Sequence, residues 1–299
     1  MLLALINVEV DLALYYLVDF LIAVAILSAM RYLAGTVSNV SATHEISQND
    51  NKAFGVSLAG AMVAVSIMLM GAVSGEAGYS LANEACTVLL YGVIGIILMW
   101  VTRILFDRVS FPHLSIHDQI MRGNISAGII DACNMVATTI IIKGAMTWVA
   151  GGLAMSLIAV VASFIASQLI MALATLYRVK VYEKRHNGAQ LHTAIEQDNV
   201  ALALRFSAYR IGIAIAVSAA FTAVEYDPGA FIAVFSLWFG IAIVLFVLLT
   251  LIAIVIRHSV LHRVDIGEEV GRQHNISVGV IEGSIYIVVG LLMAGLIGA

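Results

Sequence analysis

The sequence predicts an all-α membrane protein, a polytopic transmembrane helix bundle whose eight spans form two parallel four-helix repeats, each made of two helical hairpins. Three observations predict it. Hydrophobic residues make up 62% of the 299-residue chain and charged residues 11%, where a soluble domain carries nearer about half and about a quarter. Apolar runs of about 20 residues, enough to cross a bilayer, fall at 12–34, 51–73, 83–105, 124–146, 149–176, 199–221, 230–256 and 275–298. Finally, the stretch Asn124-Ile125-Ser126-Ala127-Gly128-Ile129-Ile130-Asp131 returns almost unchanged as Asn275-Ile276-Ser277-Val278-Gly279-Val280-Ile281-Glu282. A repeat of that span means duplication. With two prolines in the whole chain and no sustained period-two alternation, the spans are helices and not barrel strands.

In order along the chain, the first apolar stretch has no basic flank ahead of it, so it is expected to insert as it stands and not to be cleaved as a signal peptide. The second span opens on Asn51 (Asn-Lys-Ala-Phe-Gly) and the sixth on Asn199 (Asn-Val-Ala-Leu-Ala), fainter copies of the motif at Asn124 and Asn275. Each asparagine is expected to cap a helix. Behind it come small residues one turn apart, Gly55/Ala59, Gly128/Ala132, Ala203/Ser207 and Gly279/Gly283, a smooth strip against which another helix can approach closely in lipid. Acids precede every returning helix (Glu45 and Asp50, Asp118, Glu196 and Asp198, Glu268 and Glu269) and favour its N-terminal dipole. Trp148-Val149-Ala150-Gly151-Gly152 joins the halves, giving repeats over 1–148 and 149–299.

Basic residues orient the bundle. Arg31 and Lys52, then Arg103, Arg108 and Arg122, then Arg178, Lys180, Lys184 and Arg185, then Arg257, Arg263 and Arg272 flank the connections on one side, while Glu9, Asp11, Glu76, Glu84, Glu225 and Asp227 lie on the other. The positive-inside rule then puts both termini on the non-cytoplasmic side. An even number of spans per half makes the halves parallel, related by an axis along the membrane normal.

The helix openings Asn51-x-Ala53-x-Gly55 and Asn124-x-Ser126-x-Gly128, with Gly144-Ala145-Met146-Thr147-Trp148 as a helix end, resemble the YjfL-like bacterial inner-membrane proteins, catalogued as domain of unknown function 350. One member of that family is about half this chain, so the resemblance implies two fused four-helix copies in a bacterial inner membrane. The second copy departs from the first: Arg205 and Arg210 stand where Ser57 and Met62 do, and no Met-Thr-Trp closes its helix. The resemblance brings no activity and no catalytic residue.

Asp131 and Glu282 lie seven residues past their asparagines, about 10 Å into the membrane at 1.5 Å per residue. An ionisable group at that depth costs on the order of 2.5–3.5 kcal/mol and is expected to face a partner or water. Arg205 and Arg210 enter from the same side, so Asp131, Glu282, Arg205 and Arg210 are the expected polar intramembrane centre. Three readings fit: a buried ion-pair lock between hairpins, a water-filled path for protons, small ions or a charged substrate, or contact of Arg205 with anionic lipid headgroups. All eight histidines fall at the connections, and His113/His117 and His258/His262 are spaced i, i+4, but Pro112 argues against an established helix at the first pair, and no bound metal is expected. Cys86 and Cys133 are expected to be buried and reduced, and Asp19 and Lys143 to snorkel outward.

No phosphate loop, nucleophile elbow or dinucleotide fingerprint occurs, and the net charge is −4. An enzyme, a cofactor and a nucleic-acid partner are therefore not expected. Two functions remain: a proton or small-ion pathway or transporter-like component, and a membrane scaffold or envelope-stress subunit docking a soluble cytoplasmic partner. The expected partners are the lipid bilayer, that soluble protein and further copies in a homo-oligomer, since half-length relatives need to pair to complete a bundle.

Overall fold

In the computed structural model, which describes residues 10–38, 42–73, 80–111, 114–149, 153–186 and 188–298, each repeat asparagine heads a long helix. Glu9, Glu76, Pro112, His113 and Gly151–Gly152 lie outside the described residues. The first quarter contains α1 (Val10–Ser38), α2 (Ala42–Ser47) and α3 (Lys52–Val73). The second contains α4 (Leu81–Leu105), a π turn (Phe106–Ser110), α5 (Ile116–Met121) and α6 (Ile125–Trp148). The third is α7 (Leu153–Arg185), α8 (Leu191–Glu196) and α9 (Val200–Thr222), and the fourth is α10 (Phe231–Val260), a π segment (Gly267–Arg272) and α11 (Ile276–Ile297).

Long helices lie at all eight places where the sequence puts a span. Seven of them are long and apolar enough to cross a membrane, while α1 carries a shorter apolar stretch, Leu14–Ala29. No strand occurs among the described residues.

The capping chemistry repeats four times. Oδ1 of Asn51, Asn124, Asn199 and Asn275 accepts from the backbone N–H of Phe54, Ala127, Leu202 and Val278 at 3.0, 2.9, 3.0 and 3.3 Å. Directly before each cap the chain turns through a left-handed residue: Asp50 (φ 45°), Gly123 (φ 83°), Asp198 (φ 55°) and His274 (φ 54°). Only the second quarter supplies glycine there; Asp and His are among the few other residues that visit this region with any frequency.

The other end of each amide ties one quarter to the next. Nδ2 of Asn51 donates to the Ile120 carbonyl at 3.0 Å, Asn124 to Ile195 at 2.7 Å and Asn199 to Val270 at 2.8 Å. Among the described residues Asn275 meets no further quarter, and its Nδ2 donates to its own Glu269 Oε2 at 2.8 Å. The acids ahead of the helices therefore act through more than the helix dipole: Glu45 also accepts from Asn51, and Asp198 accepts from the Ser126 N–H of the preceding quarter.

These bridges set all four helix starts at one end, so the halves run parallel. The helices stand in a row, α3–α6–α9–α11, with α4, α7 and α10 each packed against two neighbours in it. Asn199→Ala is expected to remove a cap, worth about 1 kcal/mol, and to strand the Val270 carbonyl, worth about 1–3 kcal/mol more. Asn275→Ala loses the cap and a contact to the half-buried Glu269 carboxylate, which water can replace. Unfolding by SDS in mixed micelles should rank Asn199→Ala as clearly the more damaging.

Three expectations change. Cys86 is exposed, not buried, and Cys133 is half-buried. Asp19 is 5% exposed and so is enclosed instead of reaching the interface. His258 sits in the last turn of α10, which ends at Val260, so His262 lies beyond the helix and the pair shares no helical face.

Candidate functional site: two buried carboxylates

The row packs in one repeating register, and that register places the acids. Counting from each asparagine, positions 2 and 9 of one helix meet positions 4 and 8 of the next. A Cβ at Gly128 would press on the Ala53 carbonyl and one at Gly60 on Ala132; at Gly279 it would overlap the Ala201 carbonyl and at Gly283 the Ala208 methyl. Between α6 and α9 the same pair of positions is Cys133 and Ser207, which lie within reach of each other. Higher up, Gly71 meets Lys143 and Gly144 meets Ser218, again at matching positions.

Position 6 of one helix then faces position 7 of the next. In the first half these are Ser57 and Asp131: the Ser57 hydroxyl donates to Asp131 Oδ2 at 2.5 Å. Arg103, from the end of α4, donates to the same oxygen at 2.7 Å. In the second half the pair is Arg205 and Glu282, with Arg205 Nε 2.5 Å from Glu282 Oε2 and Arg257, from the end of α10, 3.3 Å from Oε1. The two acids have side chains 2% and 0% exposed. At the middle interface the corresponding positions are Ile130 and Phe206, both buried.

Of the four expected residues, the fold thus brings together Arg205 and Glu282 only. Asp131 lies on α6 and Glu282 on α11, with α9 between them in the row, so the acids serve two separate sites. Arg210 meets neither. Its guanidinium donates to Asn134 Oδ1 at 2.6 Å and Thr175 Oγ1 at 2.5 Å and lies 4.5 Å over the Phe106 ring. Among the packing positions, Gly128, Gly279 and Gly283 touch the neighbouring helix, while at Gly55 a Cβ would meet open space.

Three further residues belong to these sites. Arg103 and Arg257 hold the acids, and Arg178 on α7 lies over the rings of Tyr209 and Tyr286 at 4.3 and 4.8 Å. Read as connection-flanking charges they pass unnoticed, yet an arginine stands about twenty residues ahead of every repeat asparagine: Arg31, Arg103, Arg178 and Arg257. Comparing quarters position by position is the signal that finds them. No group of three or more His, Cys, Asp or Glu able to hold a metal occurs among the described residues.

A bundle of long apolar helices in tandem repeats, with ion pairs closed inside it, is a multi-pass membrane protein. The family model described as Domain of Unknown Function (DUF350) matches residues 4–146 and again 152–297, so the chain belongs to that family and contains two copies of its domain. No curated protein and no solved structure matches it.

Proposed function

We propose that this protein is a structural component of the bacterial inner membrane that assembles head to tail with further copies of itself. One observation carries this reading: among the described residues the row of four helices is open at both ends, and each open end keeps the half of the register that the inner interfaces fill. On α11, positions 2, 6 and 9 are Ser277, Ile281 and Ser284, all exposed. Their counterparts at position 2, Ala53, Ser126 and Ala201, are 0% exposed. On α3 the receiving positions 4 and 8 are Gly55, with open space around it, and Ala59, which is exposed.

The two ends are complementary to each other, not to themselves. Such a heterologous contact builds a ring if its rotation closes and a filament if it does not. Small residues and hydroxyls are what helix association in lipid uses. The role is structural, not catalytic, and by the positive-inside rule both termini lie outside the cytoplasm. The proton or small-ion pathway gains less support, because each acid is enclosed and held by a guanidinium within 2.7 Å.

Cross-linking tests the proposal. In the full chain with Cys86 and Cys133 changed to Ser, Ser284→Cys together with Ala59→Cys sets a thiol at each half of the facing pair. Oxidation in native membranes should give a ladder of dimers and larger products, with none from either change alone or from Ala59→Cys with Leu292→Cys. A product that stays monomeric sinks the assembly.

A further inference from the structure

Among the described residues the two halves bury opposite charge surpluses. In the first, Asp107 lies within electrostatic reach of both Asp131 and Arg103, giving two carboxylates to one guanidinium. In the second, Glu282 is the one carboxylate touching Arg205 and Arg257, and Arg178 lies within its reach and that of Arg205. Three guanidiniums share one acid at membrane depth. Arg178 is stabilised in part by the tyrosine faces beneath it, but its Nη2 is buried with no hydrogen-bond partner. A buried charged donor left unmade is costly.

That surplus borders open space. Arg178, Arg205, Arg185 and His186 line a narrow cavity of about 30 Å³ that opens to solvent. Arg205, 7% exposed, is the buried member of this wall and Arg185 the exposed one. Arg185 is also shared with a wider basin of about 510 Å³ at the end of α10, where Arg257, His258, His262 and Arg263 face a single acid, Asp265. Above the basin, α10 presents Leu251, Ile252 and Val255, 54%, 40% and 67% exposed, to the surroundings. The basic mouth thus lies at the foot of a lipid-facing wall.

We infer that the mouth of this cavity, where it meets the basin at Arg185, is an anion site of the second half that takes a phosphate group held by Arg178 and Arg185. Guanidinium forks match phosphate oxygens in pairs, and one such group supplies the acceptor that Arg178 Nη2 lacks. The phosphate can belong to an anionic lipid headgroup, whose chains would lie along α10, or come free from solution. The first half, with its surplus of acid, has no equivalent site. This assignment stands apart from the assembly proposed above, since it uses neither α3 nor the outer face of α11.

The test uses the full chain, purified in a neutral detergent and titrated in parallel with phosphatidylglycerol and with inorganic phosphate, binding being read by native mass spectrometry and calorimetry. At least one probe should bind, and Arg178→Gln and Arg185→Gln should each weaken it about tenfold. Lys184→Gln, which removes an exposed neighbouring charge outside the cavity wall, should not. Phosphatidylglycerol binding without phosphate binding assigns the headgroup; phosphate binding that competes with the lipid assigns the shared group. Because Arg185 is exposed, its variant folds whatever becomes of Arg178. If neither probe binds, or if Lys184→Gln weakens binding as much as Arg185→Gln, the basic face acts as diffuse charge and the site does not exist.

Discussion

Glu282→Gln is expected to be the most damaging single substitution in the membrane core, lowering stability by about 3–5 kcal/mol, the cost of leaving buried charge without its partner. The side chain keeps its size and loses only its charge, so packing is not the cause. Arg205 and Arg257, each 7% exposed, then have no counter-charge. Asp131→Asn removes the equivalent charge in the first half and should cost less. Its partner Arg103 has a side chain 26% exposed and sits at the end of α4, from which it can swing to the headgroups. Ser57 can still donate to the new amide oxygen. Unfolding in SDS-containing micelles should therefore separate the two by well over 1 kcal/mol. Replacing Glu282, Arg205 and Arg257 together by Leu should recover much of the loss, because Arg178, stacked on Tyr209 and Tyr286, is then the one charge of the cluster left to be desolvated. Equal effects at Asp131 and Glu282 would mean that both sites are solvated alike. A Glu282→Gln protein that folds normally but loses ion flux in liposomes would restore the pathway reading.

Most of the bundle was legible because its signals are local. Span length, the asparagine caps and the small residues behind them are read within one helix, and the four copies reinforce one another. The parallel halves follow from counting spans, and the Asn51–Ile120, Asn124–Ile195 and Asn199–Val270 bridges carry that arrangement out. The site was legible only in part, since depth along a helix is local but the choice of partner is not. Asp131 and Glu282 declare themselves as acids in an apolar run, yet which guanidinium reaches them depends on the outgoing helix that fills the groove beside each. Arg103 and Arg257 come from those helices. Arg210 lay at a plausible depth, but its rotation about α9 points it at Asn134 and Thr175 instead. Asp19 and Cys86 show the same limit: exposure is decided by which neighbours stand beside a helix, and a helix that is apolar all round does not state it.

Gly279→Ala and Gly55→Ala place the same methyl at the same position of two copies of one motif, and they are expected to behave oppositely. At Gly279 the new Cβ overlaps the Ala201 carbonyl oxygen, which is backbone and cannot rotate away. The helices α9 and α11 must move apart, at about 1–3 kcal/mol for overpacking, toward the upper end because the Arg205–Glu282 pair one turn on is stretched as well. At Gly55 nothing lies within reach, so the fold of a single chain gains up to about 1 kcal/mol from the better helix former. In a head-to-tail assembly, however, the register puts that methyl against the Ser277 carbonyl of the next copy, as Gly279 meets Ala201. Gly55→Ala should then leave the unfolding midpoint of the isolated chain unchanged or raised, while sharply reducing the Ser284→Cys/Ala59→Cys cross-link. A substitution silent within one chain and damaging between chains follows from a repeat with an unused end. If Gly55→Ala lowered both, α3 would be a packed face already, and the row would have no place to receive another copy.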